Sequence, residues 1–272
     1  MGLNRDYIAR EYSSSILISS TDIASYGSAI GAKINAANDI DAPPCFSVTY
    51  ELPLIYKILE DVDLHGTSEQ LDKNMLLMVH GDHNMQFYCP INADDEISYT
   101  AEIVDIEDKG AAQLLKIHVT SSNQVKKKVA ESEWGLFFRG IGSGKRPERK
   151  KDKNQLVLDN SNIIFTETIY IPEDITQKYS KASNDMNPIH LDEEVAKRAG
   201  LAGIVVHGMC TTAMTAQGFI KGYLDNASDL LSLGVRFSAP VFRAMTLCWK
   251  SQRLQRKINL LFMWLEYLTA QE

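Results

Sequence analysis

The strongest constraint on the fold is a recurrence inside the chain. Phe87-Tyr-Cys-Pro90-Ile91 lines up with Phe237-Ser-Ala-Pro240-Val241 at a shift of 150 residues, and the same shift places Ile97 on Leu247 and Tyr99 on Trp249. Asp22-Ile23 matches Asp174-Ile175 at a shift of 152. The order of strand, capped helix, strand, turn and strand therefore occurs twice, which predicts a tandem duplication. Each unit is expected to be α+β, a curved antiparallel sheet wrapped around an apolar helix, and two such sheets edge to edge would form one continuous sheet.

Local patterns fill in this outline. Ile16 onward reads as a short strand followed by a helix capped at Thr21 or Asp22, and residues 46–62 read as a helix kinked around Pro53. Met75–Ile91, Glu96–Val104, Leu114–Thr120 and Val129–Phe138 read as strands. Gly140–Lys153 shifts to glycine, proline and charge, so residues 141–154 are assigned as a linker between units 1–140 and 155–272. This segment is not a phosphate loop. Arg139 stands where the first glycine belongs and Arg146 where Ser or Thr should follow the lysine.

Composition narrows the partners. The chain has 272 residues, 44% of them hydrophobic, and a net charge of −7, which argues against nucleic acid as the main partner. No apolar run approaches a membrane span, so membrane insertion is not expected. The four cysteines (Cys45, Cys89, Cys210, Cys248) are scattered, as in reduced thiols. With no secretory apolar segment near Met1 and no peroxisomal address at Ala270-Gln271-Glu272, a cytoplasmic location is expected.

The chemistry concentrates in Ser183-Asn184-Asp185-Met186-Asn187-Pro188-Ile189-His190. Pro188 breaks any helix and extends Asn187, so Asp185 and His190 lie on a bent loop where they can converge. A helix should restart with Asp192 as N-cap and stop near Gly200. A carboxylate and an imidazole held together can take a proton from water and return one to a neighbouring carbon, the chemistry of adding water to a polarised double bond. Such a reaction builds charge on a carbonyl oxygen. His207-Gly208-Met209, opening a buried apolar helix from Met209 to Ile220, can offer backbone N–H donors to that charge.

This run, with the following His207-Gly208, resembles the hydratase motif of the MaoC-like family, the (R)-specific enoyl-CoA hydratases or hydratase 2 enzymes. The resemblance implies a double hot-dog fold, with Asp185 and His190 as the catalytic pair, Asn187 fixing loop and water, and Gly208 as the oxyanion donor. It also implies that His80-Gly81 lies near the thioester, that His207, Met209 and Phe237 lie on the substrate side, and that the first unit supplies an acyl-chain wall. Residues 46–56 and 75–78 are candidates for that wall. Coenzyme A would enter as part of the substrate, no other cofactor would be needed, and a homodimer would be expected. Many relatives carry Gly before the aspartate where this chain has Asn184, a residue that tolerates the left-handed conformation.

Two other features bear on function. At the place matching the active loop the first unit has Ser28–Asn38 without the motif, so one catalytic site is expected. His80 and His83 have a metal-like spacing, but on a regular strand they would point to opposite faces and no third ligand is near, so no metal is expected. A hot-dog thioesterase and a non-catalytic acyl-binding subunit are the alternative readings.

Overall fold

The structure, a computed structural model, describes residues 2–32, 41–145, 163–224, 226–253 and 261–268. The 28–38 stretch of the first unit and the linker of the sequence reading fall largely outside these residues.

The first half begins with β1 (Glu11–Leu17) and α1 (Ser20–Ala29). Ser19, rather than Thr21 or Asp22, is the N-cap, because Asp22 completes a capping box: Ser19 accepts from the Asp22 N–H at 3.0 Å while the Asp22 carboxylate faces the Ser19 N–H. Next come α2 (Val48–Leu59), α3 (Val62–His65) and α4 (Ser68–Leu77). Residues 75–77 therefore end a helix instead of opening a strand. Thr67 caps that helix by accepting from the Gln70 N–H, and the chain becomes extended only at β2 (Met78–Phe87). β3 (Glu96–Asp108), β4 (Ala112–Ser122) and β5 (Lys128–Arg139) follow as antiparallel neighbours.

The central helix of this half is α2. Val48, Tyr50, Leu52, Leu54, Ile55, Ile58 and Leu59 are buried, each worth about 1.5–3 kcal/mol of transfer free energy for the larger side chains. Its polar residues are tied to the surrounding strands. Tyr50 donates to Ser121 on β4, and the buried Glu51 carboxylate accepts from Ser132 and Trp134 on β5. Burial raises the Glu51 pKa, and these donors, with Ser47, counter the rise.

The second half repeats the design with β6 (Ile163–Tyr170), α5 (Ile175–Ser183), α6 (Glu193–Arg198), α7 (Gly208–Tyr223), β7 (Ser232–Arg236), β8 (Thr246–Arg253) and β9 (Leu261–Leu268). Here α7 is the central helix, burying Met209, Cys210, Ala213, Ala216 and Phe219. The duplication is visible in the backbone. Asp94 N–H donates to Ile18 O and Ile18 N–H to Asp95 O; in the second half Ala244 N–H donates to Ile171 O and Ile171 N–H to Met245 O. Asp94 and Ala244 share a positive φ, 68° and 54°. Ala42 N–H donates to Ile91 O as Val206 N–H does to Val241 O.

Among the described residues the strands form a six-stranded sheet, β1-β3-β4-β5-β2-β7, and a three-stranded sheet, β6-β8-β9. The first half's sheet is thus continued by one strand of the second half, β7 on β2, while the rest of the second half forms its own sheet. Among the described residues the expected single continuous sheet is therefore two, and the copies meet at β2–β7.

Candidate active site

Asp185 and His190 are brought together by a sequence of short-range devices. α5 ends at Asn184, which adopts the left-handed conformation (φ 62°, ψ 17°) and turns the chain out of the helix. The Asn187 side chain accepts from the Ile189 N–H at 3.2 Å and opens a single 3-10 turn, Pro188–His190. Asp192 caps α6 by accepting from the Glu194 and Val195 N–H groups, and Gly200 follows it at φ +81°. The loop is therefore closed at both ends.

Within the loop the Asp185 Oδ1 accepts from the Asn187 N–H at 3.2 Å and from the Tyr56 hydroxyl at 2.9 Å. His190 Nδ1 lies 2.8 Å from the Val205 carbonyl, which can only accept, so Nδ1 carries the proton and Nε2 keeps its lone pair. His207 Nε2 lies 3.1 Å from the Asp185 carbonyl and 3.1 Å from Ser180 Oγ, so that nitrogen is the donor of its ring. The two imidazoles stack with centroids 3.8 Å apart. His207 thus holds the loop from behind, as its place at the N-cap of α7 suggests.

The electrostatics divide the pair into a carboxylate and a neutral base. Burial would push the Asp185 carboxyl up, but the His207 and His190 rings, the Tyr56 hydroxyl and the Asn187 N–H outweigh it and hold the carboxyl below its usual range. Burial lowers His190 further than Asp185 and the Val205 carbonyl can raise it. Burial, with His190 next to it, pushes His207 down to about 3. At neutral pH the site holds an ionised Asp185 and two neutral imidazoles.

One potential ligand atom from each of Asp185, His190 and His207 lies within 4.8 Å of the others. The donor set is suitable for a transition metal, but its arrangement is not. Imidazole lone pairs lie in the ring planes, and two rings stacked face to face cannot both place an ion about 2.0–2.1 Å away in their planes.

Phe237 joins the two His-Gly elements. Its N–H donates to Gly81 O at 2.8 Å, its ring lies 4.9 Å from His80, and it covers Gly208 so closely that a Cβ there would sit 2.6 Å from the ring. Gly81 itself is required by packing, since a Cβ would meet the Phe137 ring at 2.2 Å. His80 senses the Asp185 charge, yet burial holds its pKa at about 4. The Met209 side chain is in the core, so only its backbone N–H, in the first turn of α7 beside that of Gly208, is left for a ligand.

The facing of His80 and His83 corrects the sequence reading. A register shift between His80 and Asp82 turns both rings to the same face, where His80 stacks on Trp134 at 4.7 Å and His83 meets the same indole edge-on at 4.4 Å. Tyr56 and Thr49 fall in the 46–56 stretch read as acyl-chain wall, but they contact the catalytic loop instead, a role the sequence reading did not give them, and Ser180 was not singled out at all. Thr49 O accepts the Asn184 side-chain amide at 3.0 Å. The available signal was Pro53, read only as a kink.

Fold and site together define a double hot-dog protein with an Asp–His pair on a proline-fixed loop at the N-terminus of the second central helix. The profile described as MFE-2 hydratase 2 N-terminal domain matches residues 18–140, and that of the MaoC like domain matches residues 149–259. The chain belongs to the MaoC-like dehydratase family, of the hydratase 2 type. It is 26% identical over 239 residues to a probable enoyl-CoA hydratase 2 of Dictyostelium discoideum, covering 84% of this chain and 80% of that one. It is 28% identical over 197 residues to the mouse peroxisomal multifunctional enzyme type 2, covering 66% of this chain and 25% of that longer protein. The crystal structure of a MaoC-like dehydratase from Phytophthora capsici superimposes with a TM-score of 0.74 at 19% identity, covering 98% and 99% of the two chains. A Mycobacterium tuberculosis protein described as having a double hot-dog fold superimposes with a TM-score of 0.61.

Proposed function

We propose that the chain is a hydro-lyase that adds water across the double bond of a trans-2-enoyl thioester, giving the (R)-3-hydroxyacyl product, and that it also runs the reverse dehydration. Coenzyme A is the carrier this reading favours, in keeping with the names of the relatives. The observation that carries it is the state of the pair: Asp185 ionised and His190 neutral with a free Nε2, beside the first turn of α7.

Neither group of the resting pair holds a proton to give, so both parts of the water end on the substrate. The water oxygen bonds to Cβ, its O–H breaks toward the Asp185–His190 pair, and the pair returns that proton to Cα. Negative charge passing to the thioester oxygen meets the Gly208 N–H, with Met209 N–H adjacent. Asn187 fixes the loop, His207 positions Asp185 and His190, and His80, Gly81 and Phe237 form the wall against which the thioester lies. No metal, flavin or nicotinamide takes part. This reading includes a homodimer in the cytoplasm; light scattering and a fluorescent fusion test those two points, since several relatives are named peroxisomal.

The test follows loss of enoyl-thioester absorbance with crotonyl-CoA and a longer enoyl-CoA. Hydration to the (R)-alcohol by the wild type, lost by about a hundredfold or more in Asp185→Asn and His190→Gln, is the expected result. Release of free thiol instead would make the protein a thioesterase. Silence in both assays would point to an acyl-binding subunit.

A further inference from the structure

The first copy has lost the catalytic motif, yet its central helix reaches the second copy's loop at two points. Thr49 O accepts from Asn184 Nδ2 at 3.0 Å, and the Tyr56 hydroxyl donates to Asp185 Oδ1 at 2.9 Å. Thr49 and Tyr56 are seven residues apart, two turns along one face of α2. Both contacts fall on consecutive residues of the loop.

The first contact depends on a defect in the helix. In a regular helix the Thr49 carbonyl would accept from the N–H of residue 53, but residue 53 is proline and has none. The carbonyl is left for an outside donor, and Asn184 supplies it. Asparagine at this site thus does more than tolerate the left-handed turn, because a glycine there could make no such bond. The second contact acts on the reacting group. Tyr56 and the Asn187 N–H both donate to Oδ1, so the carboxylate is oriented by two donors on one oxygen, and Tyr56 interacts with the Asn187 side chain as well.

We propose that Tyr56 is a positioning residue for the second copy's active site, pinning Asp185 Oδ1 so that Oδ2 is presented to the reacting water. This rests on the hydratase reading for its catalytic consequence, though not for the contact itself. The phenol is suited to the task. Burial first, then the Asp185 charge and the bond to it, raise its pKa, so the hydroxyl stays protonated and remains a donor at every working pH. The other titratable groups that act on Asp185 or feel its charge are His190, His207 and His80. All three are neutral at pH 7, which leaves Tyr56 and Asn187 as its hydrogen-bonding support.

Tyr56→Phe removes only the donor oxygen. Two readouts test it, one independent of turnover. The infrared carboxyl band of protonated Asp185, identified by its loss in Asp185→Asn, is followed as a function of pH. In Tyr56→Phe its midpoint is expected to rise by about one pKa unit. For hydration of enoyl-CoA, kcat is expected to fall about tenfold to a hundredfold, KM to change by less than about threefold, and the acid limb of the rate profile to move up with the carboxyl band. Urea unfolding of the variant separates these effects from loss of fold. An unchanged carboxyl midpoint overturns the proposal whatever happens to kcat, as does a loss of activity that only follows a loss of stability. A silent wild type with a shifted midpoint in the variant would overturn the hydratase reading and leave Tyr56 as the residue that positions Asp185.

Discussion

Three titrating side chains, the half-buried Asp185 and the buried His190 and His207, sit within one loop and its anchor, and all three have their pKa lowered. The sign is the same for stability and for rate. The folded Asp185 pKa is depressed, so its contribution is present above the unfolded value and is lost as pH falls through the folded one. The unfolded histidines bind protons from about pH 6.5 downward while the folded rings resist, so their contribution is also lost on acidification, between pH 6.5 and about 3 for His207. Thermal unfolding midpoints are therefore expected to fall steeply below pH 6.5, and His207→Gln, which keeps a donor without titrating, is expected to flatten that fall. The hydration rate should lose its acid side alone, because neither Asp185 nor His190 titrates above neutrality. Asn187 was named only through the family resemblance, whereas Asp185 and His190 could be paired from sequence because a proline acts over a few residues. The partners that set their protonation could not, since Tyr56 and Val205 O arrive from elsewhere.

At the scale of elements, the informative case is α2. The interior proline was legible, and so was a kinked helix, but the freed Thr49 carbonyl acquires meaning only when α5 ends opposite it. Pro53 is exposed, so Pro53→Ala opens no cavity; it restores a helical N–H that competes with Asn184 for Thr49 O. We expect the variant to be more thermostable, by up to about 2 kcal/mol once the gain in helix propensity is set against the lost bond, and several-fold less active. A gain in both would show that Asn184 does not need the anchor. β2 gives the converse lesson. Alternation along a strand put His80 and His83 on opposite faces, and the register shift at Gly81, which packs under the Phe137 ring of β5, put them on the same one. Gly81 within the strand pattern is a local sign of such a bulge, but the faces on which the rings end up depend on the neighbouring strand.

Taken as a whole, the molecule shows why its duplication was legible and its site only half so. The repeat survives in turns, such as Pro90 with Pro240 and Asp94 with Ala244, where backbone geometry limits what a residue can be. The division of labour between copies has no such trace, because it consists of contacts between positions far apart in the chain. Tyr56 and Asp185 are separated by 129 residues, Thr49 and Asn184 by 135. These distances carry a kinetic consequence. Closing loops of that length is entropically slow relative to forming a helix or a hairpin. During refolding from urea, far-ultraviolet circular dichroism should recover first and enoyl-CoA hydration should lag behind it. Simultaneous recovery would mean that the copies meet before either is formed. The catalytic loop, although continuous in sequence and locally well capped, is in this sense among the last parts of the enzyme to mature, and a newly made chain would pass through a well-structured but inactive stage before its first turnover.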